Sequence, residues 1–228
     1  MVLEALGSNA TIHDVFVLED LDDAELEAAL AASSIRPWVV GRDVIDSLSD
    51  TVTPQGVVTV VALPERGADA LRGSSLALVL ADVRDPGNAG TLVRSAAAAG
   101  ADAVVFVRGS VDPLHPKVVR SAAGALFRVP VVRAVPLAEV AETLREENIQ
   151  VVGSDAGAET DMYSADLTGP CALLLGNEAW GLSEEAEAFA DRMVRIPMPG
   201  PVESLNVSTA GSILLFETLR QRRTTSDD

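Results

Sequence analysis

The stretch "PVESLNVSTAGSILLFE", residues 201–217, joins a cluster of small polar residues to the start of an apolar helix pattern. Polar side chains recur at every second position, Ser204, Asn206 and Ser208, soon after the turn-rich "MPGP". One such group is enough to cap a helix. Three of them in succession predict a backbone that is shaped to hold a ligand at the entrance of the final helix.

Outward from this helix, residues 73–228 alternate short apolar runs with amphipathic segments. Short apolar runs are typical of buried strands, and the segments between them have helical periodicity. The alternation predicts an α/β fold in which helices cover both faces of a parallel sheet. The predicted strands are 76–82, 103–107, 127–132, 149–155, 171–176 and 192–198, and the predicted helices are 88–100, 117–124, 136–146, one from about Ser183 and one from about Leu205.

The first part of the chain, residues 1–72, is predicted to be a small α/β domain of its own. Its strands are expected at 11–19, 36–41 and 56–63, and its helices at 22–33 and 42–50. The segment "PERGADALRGSS", residues 64–75, is rich in Pro, Gly and Ser, which is typical of a domain boundary.

The composition is that of a globular protein, but its charge is strongly acidic. The chain has 228 residues, a net charge of −17 and an isoelectric point near 4.4. Proteins that bind nucleic acid usually have a basic surface. Seven of the seventeen basic residues lie between positions 84 and 133, which predicts a local positive face. The alternative is scattered charge that serves only solubility.

Several classes of protein are excluded by what the sequence lacks. No apolar run approaches the length of a membrane span, and the N-terminal residues do not resemble a signal peptide. A single cysteine, Cys171, permits no internal disulfide and suits a reducing cytoplasm, so we expect a cytoplasmic protein. His13, His115 and Cys171 have no zinc-ligand spacing, so no metal site is predicted.

A first candidate loop is "DVRDPGNAGTLVRS", residues 82–95, which links a strand to a helix. Pro86 and Gly87 suit a turn, and Asn88 suits an N-cap. We expect Gly90 to leave space beside Arg94, whose guanidinium would bind an anion such as phosphate near the positive end of the helix. The alternative is an ordinary capped helix with a solvated arginine.

A second candidate loop is "LLLGNEAWGLSEEAEAF", residues 173–189. Gly176 and Gly181 permit close approach of a ligand to the backbone, and Glu178 lies between them. Ser183 is expected to cap the next helix, and Trp180 to cover the apolar side of the loop.

The third candidate loop contains the opening stretch and the apolar strand end that precedes it, residues 196–198. We expect Ser204 and Ser208 to share a helical face and Asn206 to point elsewhere. One of the three would cap the helix, and the others would bind a ligand or anchor neighbouring loops.

Together, the three loops resemble the three sequence motifs of the SpoU (TrmH) family of RNA ribose 2′-O-methyltransferases, in the SPOUT superfamily. The family pattern N-x-G-x-x-x-R fits the first loop, G-x-E-x-x-G fits the second, and I-P-M followed by S-L-N-V-S fits the third. The matching residues are Asn88, Gly90, Arg94, Gly176, Glu178, Gly181, 196–198 and 204–208. The resemblance covers about residues 74–220.

The resemblance implies a fold, a cofactor and an assembly. Residues 73–228 would form a parallel-sheet catalytic domain with a C-terminal trefoil knot, which binds S-adenosylmethionine and works as an obligate homodimer with a shared site. Residues 1–72 would form a substrate-binding domain. Relatives usually have a helix and a strand before a V-x-E-A-L segment, and this chain begins at that segment, so we expect a short or N-terminally truncated domain.

The resemblance also assigns residues to the site. The implied catalytic residues are Asn88, Arg94, Glu178, Ser204 and Asn206. The implied cofactor-binding residues are Leu175, Gly176, Asn177, Gly181, Ile196, Met198, Ser204, Leu205 and Asn206. A guanidinium does not lose its proton at neutral pH, so we expect Arg94 to bind the adjacent phosphate and stabilise the developing alkoxide. Asn88, Ser204 and Asn206 would orient the ribose and the loops, and Glu178 would hold loop or substrate donors.

The function implied by the resemblance is therefore 2′-O-methylation of RNA by S-adenosylmethionine. We expect ribosomal RNA as the substrate because of the additional N-terminal domain. The alternatives are a transfer-RNA methyltransferase and a non-catalytic, cofactor-binding RNA assembly factor. An enzyme that confers antibiotic resistance by methylating one ribosomal nucleotide is also compatible with the sequence.

Overall fold

The computed structural model describes residues 1–8, 10–49 and 51–226. The chain forms two compact units, Met1–Pro64 and Glu65–Asp228. The domain boundary that the sequence places after residue 72 stays a prediction.

The N-terminal unit is a three-stranded sheet with three helices. The order of the strands is β2-β1-β3; β2 is parallel and β3 antiparallel to β1. Each strand and helix predicted for this unit is present, and Asp50, the last residue of the predicted second helix, lies outside the described residues. The elements are α1 (Val2–Leu6), β1 (Thr11–Leu18), α2 (Ala24–Ser33), β2 (Trp38–Val40), α3 (Arg42–Leu48) and β3 (Val57–Ala62).

The C-terminal unit is an α/β structure with seven strands. Its elements are β4 (Leu76–Leu80), α4 (Pro86–Ala99), β5 (Ala103–Val107), α5 (Pro116–Ser121), β6 (Val131–Val135), α6 (Leu137–Glu146), β7 (Gln150–Ser154), β8 (Thr160–Asp161), β9 (Cys171–Leu175), α7 (Glu184–Glu187), β10 (Arg192–Arg195) and α8 (Val207–Ser226), with short 3₁₀ helices at Ala68–Leu71 and Ala125–Phe127.

The seven strands form one sheet in the order β6-β5-β4-β9-β7-β10-β8, and every paired strand is parallel to its neighbour. The predicted parallel sheet is thus confirmed. All residues of the three central apolar strands β4, β5 and β9 are buried, because helices cover both faces. The carboxyl ends of β4 and β9 therefore lie side by side, and the loops that follow them emerge at the same edge.

The two faces of the sheet are packed by different helices. On one face, side chains of α6 and α7 join alternate strand residues in a single apolar cluster that includes Val79, Leu144 and Ala186. On the other face, α8 packs against α4 and β9. At Gly211 of α8, a Cβ would meet the side chains of Leu92 and Leu175, so this glycine permits the close approach of the helix.

Some predicted boundaries differ from the structure. The predicted strand 127–132 begins as a 3₁₀ turn, and β6 starts only at Val131. β10 ends at Arg195, so residues 196–198 belong to the following loop rather than to a strand. The helix predicted from Ser183 is a single turn, although the Ser183 hydroxyl caps it as expected, by accepting from the backbone N–H of Ala186 at 3.2 Å.

Candidate cofactor and ribose site

The second and third candidate loops and the end of β7 line a pocket at the carboxyl edge of the sheet, where α/β proteins usually bind their ligands. The pocket has a volume of about 320 Å³, which lies at the lower end of the range for small-molecule sites. It is lined by Ser154, Asp155, Ala156, Leu175, Gly176, Asn177, Glu178, Ala179, Trp180, Gly181, Ile196, Met198, Ser204, Leu205, Val207 and Ala210. All predicted cofactor residues except Asn206 are among them.

The loop after β9 turns back on itself through two backbone hydrogen bonds. The N–H of Asn177 donates to the Gly181 carbonyl at 2.7 Å, and the N–H of Gly181 donates to the Asn177 carbonyl at 3.0 Å. A Cβ at Gly176 would meet the backbone of Gly181 and Leu182, and Gly181 has a φ of +73°. Both glycines are required by the tight turn, as the sequence predicts.

The side chain of Asn177 connects this loop to the end of β4. Its Nδ2 donates to the Asp82 carbonyl oxygen at 3.0 Å, and its Oδ1 accepts from the N–H of Ala179 at 2.8 Å. Asn177 is 7% exposed. Since the amide is used inside the protein, Asn177 can offer a ligand only its backbone, and its side chain is a structural bridge.

Glu178 holds the N-terminus of α4. Its carboxylate accepts from the backbone N–H groups of Asp85 at 2.9 Å and Arg84 at 3.3 Å, and from Asn88 Nδ2 at 3.4 Å. Desolvation raises the pKa of this carboxyl, but the donors, led by the Asp85 N–H, together hold the pKa below its ordinary value. An ionised carboxylate engaged by three donors is a positioning group rather than a proton acceptor.

Asn88 joins all three loops. Its Oδ1 accepts from Asn206 Nδ2 at 2.9 Å and from Ser208 Oγ at 3.4 Å, while its Nδ2 faces Glu178. Asn88 is not the N-cap that the sequence predicts. Asp85 caps α4 by accepting from the N–H of Asn88 at 2.9 Å, because Pro86 already occupies the first helical position. This frees the Asn88 side chain for the loops.

Asn206 is the residue of the polar cluster that caps α8. Its Oδ1 accepts from the N–H of Ser208 at 2.8 Å, from the N–H of Thr209 at 3.3 Å and from the Ser208 hydroxyl at 2.6 Å. The predicted shared face of Ser204 and Ser208 is wrong, because Ser204 precedes the helix. Ser204 is exposed, lines the pocket and makes no hydrogen bond to the described residues. Its hydroxyl is therefore open to a ligand.

Arg94 lies away from the pocket, and the space expected beside it at Gly90 is filled. A Cβ at Gly90 would meet the Ser121 hydroxyl and lie 2.6 Å from the Val118 carbonyl oxygen, so this glycine serves the packing of α4 on α5. Arg94 is exposed and has no hydrogen bond or ion pair in the described part of the chain. Six helical residues separate it from Asn88, a rise of about 9 Å and a rotation of about 240°.

The pocket residue Asp155 was missed by the sequence analysis although a signal existed. Asp155 directly follows β7, and polar residues at the carboxyl end of a parallel strand are candidates for ligand binding. Trp180, which is expected from the sequence over the apolar side of the loop, lines the pocket and is 60% exposed.

The pocket residues fit S-adenosylmethionine. Leu175, Ile196 and Leu205 offer apolar surface for a nucleoside, and the glycine loop offers close backbone approach. Asp155 Oδ1 accepts from the N–H of Gly157 at 2.7 Å, whereas Oδ2 makes no hydrogen bond to the described residues and can accept from a hydroxyl or ammonium group. Within the described ranges, no group of three or more potential metal-ligating side chains occurs. No helix in these ranges is long and apolar enough to span a membrane.

Comparisons with known proteins match both parts of the chain. The SpoU rRNA Methylase family profile matches residues 75–216, and the profile for RNA 2′-O ribose methyltransferase substrate binding matches residues 1–67. Similar proteins include two named 23S rRNA (guanosine-2′-O-)-methyltransferase RlmB. The protein from Xanthomonas axonopodis pv. citri is 37% identical over 87% of this chain and 83% of its own. That from Xylella fastidiosa is 44% identical over 68% of this chain and 62% of its own, which is less than two thirds of the relative.

The fold is also similar to a solved structure. The SpoU methyltransferase AviRb from Streptomyces viridochromogenes has a TM-score of 0.89 at 28% identity, over 98% of this chain and 87% of that chain. Its complex with the cofactor AdoMet has a TM-score of 0.87 at 29% identity, over 98% of this chain and 88% of that chain. The family resemblance predicted from the three motifs is therefore confirmed: the chain belongs to the SpoU rRNA methylase family.

Proposed function

We propose that the protein transfers the methyl group of S-adenosylmethionine to a ribose 2′-hydroxyl of ribosomal RNA. The observation that carries the proposal is the hydrogen-bonded junction at Asn88, which joins the first family motif to the two motifs that line the pocket. The relatives named as 23S rRNA methyltransferases and the AdoMet-bound AviRb structure support the substrate and the cofactor. A ribosomal substrate also supports the expectation of a cytoplasmic enzyme.

The cofactor supplies an electrophilic methyl group on a sulfonium. Leu175, Gly176, Ile196, Met198 and Leu205 line the pocket and would hold it through apolar contacts and backbone groups. Ser204 and Asp155 would bind its polar parts, and Asn206 would act through the cap of α8.

The nucleophile is a neutral ribose hydroxyl, whose oxygen would bond to the methyl group as the methyl–sulfur bond breaks and S-adenosylhomocysteine leaves; the hydroxyl proton would pass to solvent water. We assign Arg94 to the adjacent phosphate and to the developing alkoxide, since its guanidinium is exposed and unpaired among the described residues and stays protonated. Glu178 and Asn88 position the loops. Arg94→Ala is expected to abolish transfer while cofactor affinity is retained; loss of cofactor binding would contradict this role.

We also propose a homodimer, which the position of Arg94 supports. It does not line the pocket of its own chain, and it projects from a different face of α4 than Asn88 does. We propose that Arg94 of one protomer completes the site of its partner. An equimolar mixture of Arg94→Ala with a cofactor-binding variant such as Gly176→Ala would then regain about a quarter of wild-type activity, because half of the dimers hold one intact site of two. A mixture that remains inactive would contradict a shared site.

The C-terminal trefoil knot is also a proposal. It is supported by the path of the chain, since β10 lies beyond β7, whereas the following α8 returns to pack on β9 and α4. The segment between β8 and β9 makes hydrogen bonds to the C-terminal part of this helix. Gln221 Oε1 accepts from the Leu167 N–H at 2.9 Å, and Arg222 donates to the carbonyls of Leu167 and Gly169. We also assign residues 1–72 to substrate binding, in line with the profile matched there.

The proposed reaction is tested by transfer of labelled methyl groups from S-adenosylmethionine to purified ribosomal and transfer RNA, followed by alkaline hydrolysis. A 2′-O-methyl group blocks cleavage of its own 3′ phosphodiester, so label in dinucleotides from ribosomal RNA is the expected result. Label in transfer RNA alone would overturn the substrate assignment. Cofactor binding without transfer to either RNA would favour the non-catalytic assembly factor.

A further inference from the structure

Trp180 is an exposed aromatic side chain at the mouth of the cofactor pocket. It lines this pocket and is 60% exposed, although the chain has only two tryptophans and eight aromatic residues in all. An indole ring gains most from burial, and an exposed one adds little to the stability of a fold. The fold alone therefore gives no reason for tryptophan at this position.

The backbone beneath Trp180 is firmly held. The two hydrogen bonds between Asn177 and Gly181 close the turn on both sides of it. Asn177 Oδ1 accepts from the N–H of Ala179, and the carboxylate of Glu178 is bound by the start of α4. Because its neighbours in the loop are fixed, the ring is presented to solvent at a defined place, as a binding platform requires.

Arg84 lies over one face of the ring. Its guanidinium carbon is 5.5 Å from the ring centroid of Trp180, and its Nε donates to Asp82 Oδ1 at 2.7 Å. The ring stays largely exposed despite this contact, so surface remains for a second planar group. A nucleobase beside an indole and a guanidinium is a common arrangement in the recognition of unpaired RNA.

Basic groups at the same edge of the sheet suit the RNA backbone. Arg84 follows β4 and Arg108 follows the adjacent β5, so both lie at the carboxyl edge of the sheet. Arg108 is exposed and makes no side-chain ion pair with the described residues. Lys117 is 3.6 Å from Asp85, a weak exposed pair that can exchange its partner for phosphate.

We propose that Trp180 stacks against an unpaired nucleobase next to the methylated ribose, with Arg84 beside it at the RNA backbone. The inference rests on the proposed function and adds to it that the target nucleotide lies in a single-stranded segment. Base stacking on an aromatic residue contributes about 1–3 kcal/mol, so loss of the ring corresponds to about 5- to 100-fold weaker RNA binding.

The test measures equilibrium binding of a short unstructured RNA oligonucleotide in the presence of S-adenosylhomocysteine. Trp180→Ala is expected to weaken RNA binding by about 5- to 100-fold, and Trp180→Phe to retain most of it. The matched control is Tyr163→Ala, since Tyr163 is 62% exposed and lies in the same unit but does not line the pocket. In a Trp38→Phe background, Trp180 is the single tryptophan, and RNA is expected to quench its fluorescence.

Three results would overturn the proposal. One is unchanged RNA affinity in Trp180→Ala, and another is an equal loss in Tyr163→Ala. The third is weaker binding of S-adenosylhomocysteine by Trp180→Ala with unchanged RNA binding, which would show that Trp180 contacts the cofactor rather than RNA. Binding is measured without methyl transfer, so these outcomes are separate from a failure of the proposed reaction, which wild-type transfer assays report.

Discussion

The junction at Asn88 leads to a prediction about charge. In Asn88→Asp, the Oδ1 acceptor for Asn206 is kept, but a second carboxylate oxygen replaces the amide that lies 3.4 Å from Glu178. For two charges at this distance, an effective dielectric constant of about 40–80 gives a repulsion of about 1–2.5 kcal/mol. The N-terminus of α4 stabilises the added negative charge by up to about 1 kcal/mol. Loss of the hydrogen bond from Asn88 to Glu178 costs a similar amount. We therefore expect unfolding free energy to fall by about 1–2.5 kcal/mol.

The pH dependence separates this repulsion from simple loss of a side chain. Asn88→Ala removes the same hydrogen bonds without adding charge, so its cost of about 1–2 kcal/mol should not change between pH 8 and 5. In Asn88→Asp, the added charge raises the pKa of the carboxylate pair, and stability relative to wild type should recover as pH falls toward 5. Denaturant unfolding of both variants measures this, with Asn148→Asp as a control for the added charge. Equal stability of wild type and Asn88→Asp, or no recovery of the stability of Asn88→Asp at low pH, would contradict the hydrogen-bonded junction of Asn88 with Glu178 and Asn206.

Three further changes test the loops and the final helix. Gly176→Ala places a Cβ against the backbone of the turned loop and should weaken cofactor binding about tenfold or more by calorimetry, whereas Gly200→Ala, with open space around it, should not. Arg222→Ala removes charge-assisted hydrogen bonds to three carbonyls and should lower the free energy of unfolding by about 2–4 kcal/mol. The control Arg223→Ala should lower it by less than about 0.5 kcal/mol. The pKa of Glu178 is lowered in the folded protein, so the ionised carboxylate stabilises the fold above about pH 4.3. The difference in unfolding free energy between wild type and Glu178→Gln should therefore be constant above this pH and shrink as pH falls further. A difference that grows in acid would contradict this role of Glu178.

The sheet could be predicted from the sequence because its strands carry a strong local signal. β4, β5 and β9 are continuous apolar runs bounded by turn residues, and strands buried on both faces have this pattern. β8 has two residues, Thr160 and Asp161, and no apolar run, so only its pairing with β10 defines it. The strand expected at 127–132 begins late because its first residues close a 3₁₀ turn. Tertiary packing determines this turn, and hydrophobic periodicity does not predict it.

The site could be predicted as a set of residues but not as a network. The motifs identify Asn88, Glu178 and Asn206, yet their mutual hydrogen bonds span about a hundred residues of sequence or more and depend on the sheet order. The predicted cap of α4 is wrong, because Asp85 and Asn88 are both good capping residues and Pro86 decides between them. Gly90 was assigned to ligand space, but helix packing from α5 fills it.

The acidic composition shapes how the protein can bind RNA. Residues 1–64 carry eleven Asp and Glu against two Arg, a net charge of −9, so this unit is poorly suited to neutralise phosphates. If the target is held by stacking and by one or two phosphate contacts, the logarithm of affinity should fall by only about 0.7 per contact for each tenfold rise in salt. Salt also screens the repulsion between RNA and a chain of net charge −17, which acts in the opposite direction. Affinity for a single-stranded oligonucleotide should therefore change less than about tenfold between 50 and 500 mM KCl in a binding titration. A steep loss, with a slope that corresponds to six or more contacts, would show that binding depends on a basic surface instead of the stacking platform.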